Sequence, residues 1–166
     1  MITLREITEG DTENIIRWRN HPAVRDNFIF REKLTAEAHL CWLNETVRRG
    51  KAAQFIIVDG DRDIGSVYLR DIDRAHRKAE LGIFIGEADA RGRGHGAAAV
   101  KLTLRHAFEV LQLDRVYLRV LADNAPAIRS YEKCGFVREG LFRRDAVIGG
   151  QGVDVMYMAV LREEIE

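Results

Sequence analysis

Cysteine is scarce in this chain. Cys41 and Cys134 are the only two, too few for a disulfide framework and without CxxC spacing, which favours a reducing compartment. An excess of one charge is missing too. Lys plus Arg and Asp plus Glu stand at 26 each, so no general nucleic-acid or anionic-membrane surface is expected and any electropositive site must be local. The longest apolar run, residues 155–161, is far short of the roughly 20 residues of a membrane span. The opening Met1-Ile2-Thr3-Leu4-Arg5-Glu6 reaches charge too soon for a signal-peptide core. The five histidines lack metal-ligand spacing, and no G-x-S-x-G elbow surrounds Ser130. These absences point to one soluble, cytoplasmic domain over residues 1–166, without a metal, a nucleic-acid partner or a membrane partner.

What is present reads as a mixed α/β chain. Alternating patterns predict strands over residues 2–7 and 114–121, and residues 54–58, 64–70 and 79–85 also read as strands. Helices are expected over 12–20, ended before Pro22, and over 35–49, capped by Thr35 and stopped by Gly50. Val100, Leu104, Phe108 and Leu111 recur at helical spacing and predict another. Asn124 caps a short helix that Gly135 ends. Strands over 136–147 and 153–161 flank Gly149-Gly150-Gln151-Gly152 as a hairpin, able to pair across a homodimer. The expected fold is a mostly antiparallel central sheet flanked by helices.

Between the strand over 79–85 and the long helix lies Ala90-Arg91-Gly92-Arg93-Gly94-His95-Gly96-Ala97. Three glycines at alternate positions remove the Cβ atoms that would hold a ligand off the backbone. Their amides, at a helix N-terminus, suit phosphate oxygens. Two arginines and a histidine add positive charge. Gly92-x-Gly94-x-x-Ala97 formally fits the dinucleotide fingerprint, but residues 86–91 separate it from the strand. The ribose-binding acid expected about 20 residues on is also missing, since Asp114 starts the next strand and Asp123 lies too far away. Asp59-Gly60-Asp61-Arg62-Asp63 opens like a calcium loop, yet Ile64 and Arg70 occupy the Gly and Glu positions, so it reads as a turn.

Arg91-x-x-Gly94-x-Gly96 also fits R/Q-x-x-G-x-G/A, and one helix and one strand later comes Asn124-Ala125-Pro126-Ala127-Ile128-Arg129-Ser130-Tyr131-Glu132-Lys133-Cys134-Gly135-Phe136. With both signatures, the chain closely resembles the GNAT superfamily of N-acetyltransferases over essentially its whole length. The resemblance implies a single GNAT domain and acetyl-CoA as donor. It places Arg91, Gly92, Arg93, Gly94, His95 and Gly96 around the pyrophosphate, and the backbone of Ile83, Phe84 and Ile85 along the pantetheine arm as an added strand would lie. Asn124 would help position the cofactor and Tyr131 would lie near its sulfur. Residues 85–91 are one residue longer than the usual spacing.

Acetyl transfer to an amine needs an acid for the departing thiolate and a base for the amine. Tyr131 suits the acid, although its helical spacing with Ala127 and Cys134 equally suits a core ring. Glu80 is the candidate base, or else an exposed strand residue paired with Arg77 or Lys78. Trp18-Arg19-Asn20 resembles the acceptor side of enzymes acting on nucleotide-linked amino sugars, where a ring, a guanidinium and an amide suit a phosphorylated sugar. The same residues also suit a helix end with a packed Trp. Residues 73–80 are in keeping with ribosomal-protein N-terminal and polyamine acetyltransferases. The expectation is an acetyl-CoA-dependent transferase acting on a small-molecule or peptide amine, an amino sugar nucleotide first. A protein N-terminus, a polyamine or a non-catalytic acyl-CoA-binding module are the alternatives.

Overall fold

Successive residues in the second strand of the chain go to opposite faces, and both faces are buried. Phe55 and Ile57 join one apolar cluster, with Ile64, Val67 and Ala99, while Ile56 joins another with Ile15, Trp18 and Phe84. A strand buried on both sides needs a layer on each face. The computed structural model, which describes residues 1–165, supplies those layers.

Strands β1 (Ile2–Glu6), β2 (Ala53–Asp59), β3 (Arg62–Asp73), β4 (Lys78–Ile85), β5 (Arg115–Leu121), β6 (Val137–Ile148) and β7 (Gln151–Leu161) form one sheet in the order β1-β2-β3-β4-β5-β7-β6. Every neighbouring pair is antiparallel except β4 and β5. Helices α1 (Thr12–Asn20) and α2 (Pro22–Arg25) pack Ile15, Trp18 and Val24 on one face of the sheet. Helix α4 (His95–Arg105) and helix α5 (Ala125–Lys133) pack Val100, Leu104 and Ile128 on the other, against Leu69, Leu81 and Leu118. The expected helices on both faces of a mostly antiparallel sheet are therefore present.

Several boundaries differ from the sequence expectation. The helix expected over 35–49 is α3 (Ala36–Trp42), continued by a wider π-type turn over Leu43–Val47. Thr35 caps it, its Oγ1 accepting from Ala38 N at 3.2 Å, and Gly50 ends it at φ +74°. The helix after the glycine loop likewise ends in a π-type turn, His106–Val110. Strand β3 runs beyond Arg70, through a register irregularity that puts Asp71 at φ +51°. The last hairpin turns on Gly149 and Gly150 alone, at φ +58° and +78°, since Ile148 already pairs with Gln151. Two positive φ values are what a two-residue primed turn demands.

Candidate active site

The one parallel pair makes the site. β4 and β5 are paired only at Lys78–Arg115, Ala79–Val116 and Glu80–Tyr117. Past Glu80 the strands diverge: Leu81 to Ile85 pair only with β3, and Leu118 to Leu121 only with β7. Backbone groups on the facing edges are left without a strand partner, which in a buried setting calls for a ligand or water. A cleft of about 540 Å³ opens there, lined among others by Glu80, Phe84, Arg119, Asn124 and Tyr131.

The glycine loop sits at the mouth of this cleft, leading into α4. Gly92 and Gly94 stand at φ +72° and +81°, and Gly94 is the residue before the first helical turn. A Cβ built at Gly92, Gly94 or Gly96 would meet no atom within 4 Å. These glycines are therefore not demanded by neighbouring protein atoms; the space they keep clear is open. Above it lie the first amides of α4, which have no intrahelical acceptor and carry the positive end of the helix. The cradle fits a pyrophosphate.

Of the charged residues in the loop, Arg91 turns inward. Its Nε and Nη2 donate to the carbonyls of Ile85 and Gly86, each at 2.9 Å, tying the loop to the end of β4. The Ile85 backbone thus serves this clamp as well as the open edge. His95 points away, its Nε2 lying 3.5 Å from Asp59 Oδ2, so only its backbone belongs to the cradle. Arg93 is exposed. Asn124 caps α5, its Oδ1 accepting from Ala127 N at 3.3 Å, and it lines the cleft.

Tyr131 occupies both places that its spacing allows. Its ring packs edge-on to Phe136, centroids 5.8 Å apart, and also lines the cleft. Burial pushes the phenol pKa up, so it keeps its proton across the neutral range. Glu80 is buried rather than exposed, and its partner is neither Arg77 nor Lys78. Arg77 pairs with Asp114, whereas Arg119 Nε donates to Glu80 Oε1 at 2.7 Å from across the divergence. Burial works against the Arg119 charge, and the hydrogen bond and charge of Glu80, with Tyr157, together more than offset it. Arg119 was not visible as a site residue in the sequence; its only signal is a charge alternating with core Leu118 and Val120 on β5.

The acceptor cluster expected at Trp18, Arg19 and Asn20 divides. Trp18 is 1% exposed, packs against Phe84 and Gly86, and donates through Nε1 to Glu87 at 2.9 Å. It offers no face to a ligand, which corrects the substrate-binding assignment. Asn20 is corrected too. Its amide donates to the Leu34 carbonyl and accepts from Leu34 N, both at 2.8 Å, so it is spent on holding the loop before α3. Arg19 alone reaches a cavity, of about 260 Å³, beside the cleft and sharing Tyr68, Arg70 and Phe84 with it. Tyr68 fits there because its cross-strand neighbour is Gly82, where a Cβ would come within 2.2 Å of the ring.

Comparison with known proteins gives this geometry a family. Residues 1–137 match the model of the acetyltransferase (GNAT) domain. The chain belongs to the GNAT acetyltransferases. Their donor is acetyl-CoA, and this member is an N-acetyltransferase. The spermidine N(1)-acetyltransferase of Vibrio cholerae is 30% identical over 165 residues, covering 98% of this chain and 94% of that protein. The L-amino acid N-acetyltransferase AaaT of Escherichia coli is 29% identical over 163 residues, covering 95% and 96%. Among solved structures, spermidine N-acetyltransferase from Vibrio cholerae in complex with CoA and spermine superposes with a TM-score of 0.92. It is 28% identical and covers 99% of this chain and 97% of that one. Among the described residues no helix is long and apolar enough to cross a membrane.

Proposed function

We propose that this GNAT enzyme acetylates the primary amine of a small molecule by direct attack in the β4–β5 cleft, with an amino sugar nucleotide as acceptor. The observation that carries the transfer is the divergence of β4 from β5, which puts open strand edge, Tyr131 and Glu80 in one cleft below the glycine loop.

When bound, acetyl-CoA supplies an acyl group already activated as a thioester. The amides from Gly92 to Gly96 hold the pyrophosphate, and the free edge of β4 through Ile83 and Phe84 holds the pantetheine arm as an added strand. An edge amide of β4 also serves as donor to the carbonyl oxygen on which charge develops. Tyr131 Oη holds the proton that the departing sulfur needs, and its raised pKa keeps that proton in place. Glu80 takes the amine proton at Oε2, because Arg119 engages Oε1 and fixes the carboxylate. Asn124 holds the start of α5, and with it Tyr131, against the cleft.

The amino-sugar acceptor is supported by the adjoining cavity. Its wall combines Trp42, Tyr68 and Phe84 with Arg19 and Arg70 and includes no carboxylate. A polyamine is the second reading, favoured by relatives that carry that name, one of which is described as dodecameric. Release of free CoA, followed with a thiol reagent, tests both. The full-length protein is supplied with acetyl-CoA and an amino sugar nucleotide, spermidine, or a peptide with a free N-terminus. Release with the amino sugar nucleotide alone supports the first reading. Release with spermidine alone supports the second, and none with any amine marks a binding module.

A further inference from the structure

We propose that Arg19, Arg70 and His39 form an anion seat: the acceptor carries a carboxylate or phosphate as well as its reactive amine. The inference rests on the acetyl-transfer reading and adds to it what holds the far end of the acceptor.

Three observations converge on the cavity beside the cleft. First, its cations lack full counter-charges. Arg19 lies with its guanidinium carbon 3.9 Å from the Phe28 ring centroid and forms no ion pair among the described residues. A half-buried guanidinium held by an aromatic face alone is poorly compensated. Arg70 has Asp71 Oδ2 at 3.5 Å from Nε, without hydrogen-bond geometry.

Second, two residues of the cavity wall carry buried nitrogens without a hydrogen-bond partner. His39 is 2% exposed, and its Nε2 has no hydrogen-bond partner; neither has Nε of Arg70. Native proteins pair nearly all such atoms, and each exception asks for a missing partner. Both residues line the same cavity as Arg19. Burial lowers the pKa of His39, so at neutral pH its imidazole is a hydrogen-bond partner rather than a charge.

Third, the amide and the indole in the wall are already spent. Gln54 accepts from Trp42 Nε1 at 2.8 Å and donates to Ser66 at 3.0 Å. What remains is two guanidinium groups, a neutral imidazole and the Tyr68 hydroxyl, with no carboxylate to receive an ammonium group. The cavity joins the cleft through Tyr68 and Phe84, so an amine in reach of Glu80 can belong to a molecule anchored at Arg19. Carboxylate and phosphate share this chemistry.

The test is CoA release from acetyl-CoA by the full-length enzyme with matched amines. The carboxylate arm uses the protein amino acids against their amides. The phosphate arm uses glucosamine 6-phosphate and an amino sugar nucleotide against glucosamine, and spermidine is the polycation. One of the anionic arms should exceed its uncharged counterpart by about 10- to 100-fold in kcat/KM, the worth of a charge-assisted contact. Arg70→Gln and His39→Gln should each raise KM for that amine about tenfold or more, with KM for acetyl-CoA within about twofold. Arg19→Gln should do the same, and the first two variants keep the test valid if it folds poorly. Preference for spermidine, or variants with unmoved acceptor KM, overturns the seat while leaving acetyl transfer standing. No release with any amine, although acetyl-CoA still raises the melting temperature, overturns both.

Discussion

The glycine loop over residues 91–96 and helix α1 flank the same site, but one meets it with backbone and the other with side chains. In the loop, the glycines leave the space over the backbone open, while Arg91 turns to the carbonyls of Ile85 and Gly86. On the other side, Ile15 and Arg19 of α1 line the cavity, and their companions include side chains from α3, β2, β3 and β4. A backbone site is specified by a short run of residues with unusual conformations. A side-chain site is assembled from distant positions by the packing of the core.

The largest effect that would sharpen this contrast is at Tyr131, which belongs to neither type alone. Tyr131→Phe keeps the contact with Phe136 and removes only the hydroxyl. It should lower kcat by about 10²–10⁴-fold in steady-state CoA release, with little change in KM for acetyl-CoA. The wild-type rate should show no alkaline loss from this phenol through pH 10, since its pKa lies above the usual tyrosine value of 10.0. Retention of full activity by the variant would make Tyr131 a core ring only.

Next is Trp18, where the contrast can be broken outright. If the ring is core, Trp18→Ala should cost about 3–5 kcal/mol in urea unfolding. A variant as stable as the parent but with raised acceptor KM would restore Trp18 to the binding surface. A smaller effect is expected at its partner Glu87, whose pKa is held down by hydrogen bonds from Arg17 and Trp18. A depressed carboxylate contributes stability above its unfolded value, near 4.5, and loses it as pH falls through the folded value. Glu87→Gln should therefore be less stable than the parent at pH 7, and the gap should narrow below about pH 4.5. A gap that stays constant from pH 7 to pH 3 would contradict the pairing.

The same contrast explains what could be read from the sequence. Gly92, Gly94 and Gly96 were legible because backbone conformation is coded locally, and Asn124 because a cap needs only its own helix. The apolar run Phe55-Ile56-Ile57 was enough for a strand, and the fold buries it on both faces. Glu80 could be singled out but not paired, because Arg119 becomes its neighbour only where β4 and β5 run parallel. Trp18 and Asn20 misled for the opposite reason. A ring, a charge and an amide in sequence look like a recognition cluster, but a helix sends them in different directions, and only Arg19 reaches the cavity. His39 and Arg70 left no local trace, since being orphaned is a property of the folded surroundings.

The claim that the loop is a backbone seat for a pyrophosphate can be tested by changing the loop and the ligand together. Calorimetric titration would measure CoA and pantetheine, which lacks the pyrophosphate, against the parent and Gly94→Ala. The new Cβ meets no protein atom, so its cost to the free enzyme is the strain at φ +81°, about 1 kcal/mol. CoA should bind about tenfold or more weakly to the variant while pantetheine binds as before. Equal weakening of both ligands, or of neither, would contradict the account.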